Sequence, residues 1–426
     1  MLPISGKEKL PYPSLFETAF MIMKIFKNSF LLFVLLSVFL AGLAHPQTFK
    51  YKTITLGEYL QTVRENNATI GSGELDVQTA NANKAAQSLY RFSPSVSYVR
   101  GSWYTEVPYT DYNSPPSDSL SFNFTVEGWG KRDAREALAK AQINSSKTQL
   151  ELSKNNIETN ALYAYIDTLR LALMVDSYKE ALDKLSGIKE NPKIADSQSF
   201  LDYYKSAIER DLMFSSAGLL NYAGNSLHDL PYPKGSLNFP VQKFNIDQLV
   251  NQAQENRVDV KSMQSSIDVA DKNITLAEKN RNIDIFPYIA LTKTPKYREG
   301  GANYNSQSAV SVGVTIPIPV DNYRQNAVVV LAHNNEMQYQ MHLRDLKVQI
   351  RVQVLQAILK NDGARDALTY AQVEYNKSLK NPNSETVEAI MDLRDKEGAL
   401  IDAKTNYLKS VIYLWRQSGN YAIPSL

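Results

Sequence analysis

The sequence predicts a mainly α-helical chain with β-structure: long coiled-coil helices and four strands of membrane-spanning length per chain. Three observations predict it. Two stretches alternate apolar and polar residues with a period of two. Two others carry apolar residues at coiled-coil spacing over many turns. The whole pattern then occurs twice, at an offset of 190 residues.

The repeat sets the domain organisation. Asn66, Ser72, Ala80 and Asn83 recur as Asn256, Ser262, Ala270 and Asn273. Ser121 and Thr125 recur as Ser311 and Thr315, Asn191-Pro192 as Asn381-Pro382, and Asp202 as Asp392. Residues 1–44 read as leader and signal peptide, 45–240 as the first structural repeat and 241–426 as the second. Each repeat reads helix, strand, strand, helix, with a further helix after it.

In the first repeat, Leu56 to Tyr90 has a helical pattern that Pro94 breaks. Residues 95–106 are rich in Val, Tyr and Ser and read as extended. DYNSPPSDS (111–119) is turn-forming. Leu120, Phe122, Phe124 and Val126 then alternate with Ser121, Asn123, Thr125 and Glu127, a two-faced strand. From Lys131 to about Ser186 the pattern is helical, with Ile143, Leu150, Ile157, Ala164 and Leu171 at heptad spacing. In the second repeat, Asp247 to Asp284 reads as helix, Phe286 to Thr294 as strand and 296–306 as turn. Val310, Val312, Val314, Ile316 and Ile318 alternate with Ser311, Gly313, Thr315 and Pro317. A second long helix starts near Tyr323, with Leu343, Leu346, Ile350, Val354 and Ala357 as its seam. Gly363 is a candidate interruption.

Composition narrows the function classes. The 426 residues carry 46 Lys plus Arg and 44 Asp plus Glu, a formal charge of +2 that gives no argument for nucleic acid. With no cysteine, disulfides and thiol chemistry are excluded. The four histidines show no metal-binding spacing, and Gly71-Ser-Gly73 lacks the lysine and strand context of a phosphate loop. No catalytic, cofactor-binding or metal-ligating residue is predicted. The apolar run Phe30–Leu43 follows Lys24 and Lys27 and precedes small residues, as in a signal peptide; an uncleaved anchor is the competing reading. Met23 makes a better start than Met1. Later in the chain no apolar run is long enough for a spanning helix, so any membrane crossing falls to strands.

Alternation alone also fits a soluble half-buried sheet. In lipid, four strands cannot close a barrel, but three copies supply twelve strands, which can. Prolines and glycines then mark where the barrel ends. Pro317 and Pro319 lack amide hydrogens and stop the ladder, with Asp321 or Asn322 available to cap the next helix. In the first repeat Gly128 and Gly130 stand at the corresponding turn. Tyr98, Trp103, Tyr104 and Tyr109 are candidates for an outer aromatic girdle, and Trp129 for an inner one; packing within the hairpin is the alternative.

On these residues the chain resembles the TolC-like outer membrane efflux proteins. TLGEYLQTVRENN (55–67), NRVDV (256–260), SVGVTIPIPVDNYRQNA (311–327) and ALIDAKTNYLKSVIYLWRQSG (399–419) are similar to the family's opening helix, with Asn66-Asn67 before the second helix, its second-repeat counterpart, its strand-to-helix turn and its last helix. The resemblance implies a homotrimer with a twelve-stranded β-barrel in the outer membrane lipid and an α-helical tunnel in the periplasm. It implies no enzyme activity and no cofactor. It also implies two partners, a periplasmic adaptor (membrane fusion) protein and an inner-membrane transporter. Matched to the family's acidic rings, Glu385 and Glu388 become a candidate periplasmic aperture ring; helix N-terminal acids are the alternative reading. The rival for the whole chain is a soluble periplasmic coiled-coil adaptor.

Overall fold

The computed structural model describes residues 50–426, apart from 90–93, 102–103, 108–109, 114–116, 189–192, 225–228, 243, 300–301, 319–321 and 381–385. Lys52–Leu426 form one compact unit.

The first helices are shorter than the sequence pattern suggests. After β1 (Tyr51–Thr55), helix α1 (Leu56–Asn66) starts from a capping box in which the Thr55 hydroxyl accepts from the Glu58 amide and the Glu58 carboxylate accepts from the Thr55 amide. That hydrogen bond from Thr55 holds the Glu58 carboxyl below the usual carboxylate range. The helix predicted to run from Leu56 onward breaks at Asn67. The Asn67 side chain accepts from the Thr69 amide at 3.0 Å, capping α2 (Ala68–Ser88), and donates to the Tyr222 carbonyl. In the second repeat the helix predicted over Asp247–Asp284 is likewise two: α5 (Ile246–Asn256) and α6 (Val258–Lys279). They meet at Arg257, whose guanidinium binds Asp259, Gln353 and Gln417. Periodicity carries across both breaks because each costs one residue; the family resemblance, which sets Asn66-Asn67 before a second helix, marks the first of them.

The two long helices form as predicted. Helix α3 (Lys131–Ser186) has 56 residues and α7 (Asn322–Leu379) has 58. Each spans about 85 Å at roughly 1.5 Å per residue. Gly363 does not interrupt α7; a Cβ there would meet nothing, so the position is open on the helix surface. Helices α4 (Lys193–Ala223) and α8 (Val387–Gln417) return beside them. At the strand end the packing order is α2, α3, α6, α7; at the other end it is α7, α8, α3, α4. The predicted α3 seam is only half-buried. The fully buried positions are its neighbours Leu162, Tyr165, Ile166 and Leu169. A heptad seam assumes one facing helix, whereas α3 packs against α2, α4, α6 and α8.

The main core lies where α1 crosses α3, α4 and α8. Tyr59 stacks on Tyr165 at 5.6 Å between ring centroids. The Tyr165 hydroxyl donates to the Ile54 carbonyl (2.9 Å) and accepts from the Lys234 amide (3.1 Å). It thereby fixes the small sheet of β1 and β6 (Leu230–Lys234) to the helices. Burial pushes the Tyr163 and Tyr165 phenols up to about 12.

The remaining strands form one four-stranded antiparallel sheet in the order β10-β7-β5-β2. These are β2 (Ser95–Gly101), β5 (Ser117–Asn123), β7 (Phe286–Thr294) and β10 (Gln307–Thr315). The predicted turn at 296–306 holds a short hairpin of its own, β8 (Tyr297–Glu299) with β9 (Ala302–Tyr304), while a first hairpin, β3 (Tyr104–Val107) with β4 (Thr110–Asn113), starts in the stretch read as extended and runs into the predicted turn at 111–119. Asn, Gly and Pro mark a turn there, but the intervening Tyr and Thr pair as strands. Among the described residues, no helix is long and apolar enough to cross a membrane.

Candidate functional site

The sheet register sorts its side chains into two faces, because directly paired residues of an antiparallel ladder point the same way. One face carries the rungs Val310–Leu291–Leu120–Tyr98 and Val312–Ile289–Phe122–Val96. The other carries Ser311–Ala290–Ser121–Ser97 and Gly313–Tyr288–Asn123–Ser95. On that second face the Ser97 and Ser121 hydroxyls lie 2.6 Å apart. The Tyr288 ring covers Gly313 so closely that a Cβ would sit 2.5 Å from its ring. The apolar face is uncovered in the single chain: Val312 is 76% exposed, and Val96, Val310 and Val314 are similarly open. Strands β2 and β10 are the two edges of the sheet.

Both predicted strand ends fall earlier than the alternation suggests. Strand β5 stops at Asn123; beyond it, Val126 and Ile285 form an isolated bridge. Strand β10 stops at Thr315, with Ile316, Pro317 and Ile318 outside the ladder and exposed. Pro317 follows the last paired residues, where a missing amide hydrogen matters least. Pro319 and Asp321 lie outside the described residues. Asn322 is the first residue of α7.

The first turn is built from polar links. The Gly128 amide donates to Asp284 Oδ1 at 2.7 Å, and Lys131 Nζ lies 2.8 Å from the same oxygen. A Cβ at Gly128 would stand 2.8 Å from the Ile283 carbonyl oxygen, so no larger residue fits. Gly130 adopts φ +78°, the left-handed region that favours glycine, and opens α3. Arg135 pairs with Glu127, both nearly fully buried, and also donates to the Leu89 carbonyl. Arg132 donates to the Ser88 carbonyl at 2.7 Å. The two arginines thus satisfy carbonyls left over at the end of α2. Trp129, at the tip of this turn, is 92% exposed.

Sequence reasoning named Glu127, Gly128 and Gly130 in this turn, which lies between the sheet and α3, but not Asp284 or Arg135. Asp284 is more than 150 residues from the turn it stabilises, and no local pattern signals it. The aromatic candidates divide. Tyr98 lies on the apolar face and donates to Asp118 Oδ1 at 2.7 Å. Tyr104 is in β3, and Trp103 and Tyr109 are outside the described residues.

At the far end of the molecule, α8 starts from Thr386, whose hydroxyl accepts from the Ala389 amide at 3.2 Å. Glu388 is exposed in the first turn of α8, where the helix dipole favours an acid. Glu385 is outside the described residues. No group of three or more His, Asp or Glu able to hold a metal occurs among the described residues.

No family model matches the chain, and no curated protein does. Solved structures do. A membrane protein from Pseudomonas aeruginosa is similar over 85% of this chain and 92% of its own, at 14% identity and a TM-score of 0.66. The CmeC outer membrane channel of Campylobacter jejuni matches over 85% of both chains, at 15% identity and a TM-score of 0.62. The outer membrane protein VceC of Vibrio cholerae matches over 86% of this chain and 96% of its own, at 12% identity and a TM-score of 0.60. The chain has the fold of these outer membrane proteins, and the resemblance read from its sequence holds at that level.

Proposed function

We propose that this chain is the outer membrane channel-tunnel of a tripartite efflux or type I secretion system. It carries substrates from the periplasm or cytoplasm to the exterior and catalyses no reaction. One observation carries the reading: the sheet has a continuous uncovered apolar face and two free edges, and it ends in long helices. An open edge is not viable in lipid. Three copies, each joining β10 to β2 of the next, close twelve strands into a barrel.

The helices support the same closure. Helix α7 ends the packing order at both levels and bears exposed Leu331, Met341, Leu359 and Tyr370. Helix α4, at the opposite edge, bears exposed Phe200, Tyr203 and Phe214. Two unlike apolar edges on one molecule make a head-to-tail contact that a ring closes. In this reading residues 1–44 are a leader and signal peptide, and 45–240 and 241–426 are the two repeats. The barrel stands in the outer membrane and the helices extend into the periplasm. An inner-membrane transporter supplies the substrates through a periplasmic adaptor that meets the helix ends. Pro317, Pro319, Gly128 and Gly130 turn strand into helix.

Glu385 and Glu388 form the aperture ring in this reading. Three copies would bring six carboxylates together, favouring cations. Replacing both with Ala is expected to weaken block by divalent cations several-fold in bilayer recordings; unchanged block would remove the ring from the account. The function itself is tested by extraction of the membrane fraction. A barrel stays with the membrane through salt and alkaline washes and needs detergent, whereas a soluble coiled-coil adaptor is released by the washes.

A further inference from the structure

The apolar face of the sheet does not stay apolar to its end. One rung beyond Val310, Leu291, Leu120 and Tyr98, the same face carries Ser308, Lys293, Asp118 and Arg100 on neighbouring strands. Arg100 Nε lies 3.7 Å from Asp118 Oδ1, and Tyr98 donates to that same oxygen at 2.7 Å. Asp118 is therefore drawn to the β2 side. Lys293, on its other flank, has no ion-pair partner among the described residues. The rung holds two cations and one anion. A cavity of about 340 Å³ opens beside it, lined by Lys293, Ser308, Tyr98 and the Asp118 carboxylate at one end and by Leu120, Leu291 and Val310 at the other.

We propose that this rung binds the phosphate of a phosphorylated lipid, whose acyl chains lie on the apolar floor. The inference rests on the membrane reading above. Its position fits: it is the first charged rung on this face beyond the Val310 rung, on the side of the short hairpins. Lys293 is exposed beside the apolar rung, so its ammonium is open to an anionic headgroup. Phosphate oxygens accept charge-assisted hydrogen bonds from lysine and arginine. A free phosphate would satisfy the charge but leave Leu120, Leu291 and Val310 bare; an amphiphile satisfies both ends of the cavity.

The test uses the full chain in detergent and native mass spectrometry. The probes are dimyristoyl phosphatidic acid, dimyristoyl glycerol (the same chains without phosphate) and inorganic phosphate. Phosphatidic acid is expected to be retained. Lys293→Gln should weaken it about fivefold, and Arg100→Gln with Lys293→Gln about 25-fold, from the usual worth of one basic residue near anionic lipid. Lys293→Arg should keep binding, and so should Lys140→Gln on α3, a distant control. Dimyristoyl glycerol should bind no better than the double variant binds phosphatidic acid. Equal retention of the two lipids, or a double variant that binds like wild type, would overturn the proposal. Inorganic phosphate binding as tightly as the lipid would replace it with a free-anion site. A wild-type chain that stays in solution without detergent would sink the membrane reading as well, which separates the two failures.

Discussion

The two strand-to-helix turns make the same change of direction by different chemistry. The first, at Glu127–Lys131, is held inside the chain by Asp284, by the buried Glu127–Arg135 pair and by two arginines on α2 carbonyls. The second follows Thr315 with Ile316, Pro317 and Ile318, all exposed. Polar links specify the first from within. The second carries Pro317 just past the ladder, and its apolar side chains are uncovered in the single chain. The molecule therefore has one turn held by polar links of its own and one left uncovered in the single chain, which the proposed trimer in lipid would cover.

That difference predicts unequal sensitivity to substitution. The largest effect belongs to Arg135→Ala, which strands the buried Glu127 carboxylate and should cost about 3–5 kcal/mol, read as a lower melting point by circular dichroism in detergent. Gly130→Ala forces a β-carbon into the left-handed region, a loss of about 1–2 kcal/mol. Gly128→Ala should be at least as damaging, because its Cβ would meet a carbonyl oxygen at 2.8 Å rather than a flexible side chain.

A fourth prediction concerns the core that anchors α1. Tyr165→Phe removes a buried hydroxyl bonded to β1 and β6, and should cost about 1–2 kcal/mol. It also carries a pH signature. Burial raises the Tyr165 phenol to about 12 from an ordinary value of 10, so folding favours the neutral form. Its contribution is complete below pH 10 and is lost as pH rises through 12. Thermal melts between pH 9 and 12 should show this decline, and Tyr165→Phe should flatten it. Pro317→Ala is expected to be the mildest change, about 1 kcal/mol or less, acting chiefly through the unfolded chain. If Pro317→Ala proved as damaging as Arg135→Ala, the contrast between the turns would fail.

What the sequence made legible follows from how local each signal is. The long helices, the paired strands and the glycines of the first turn depend on residues close in the chain, and the pattern shows them. The helix breaks at Asn67 and Arg257 each involve one residue whose side chain bonds to distant helices, so periodicity passes over them. Asp284 and the Arg100–Asp118–Lys293 rung exist only once strands from opposite halves are aligned. Of the candidate aperture ring, the sequence supplied Glu385 and Glu388 by resemblance. The single chain places Glu388 at an exposed helix start; a ring is a property of three chains.

The central claim is that the free sheet edges and the uncovered apolar face are completed by two further copies in a membrane. Electron-microscope images of the mature protein in detergent test it most directly. The account predicts a three-fold hollow cylinder with a detergent belt around the strand end. A monomeric rod with no belt would contradict it, leaving the sheet as a soluble element and the chain as an adaptor-like coiled coil.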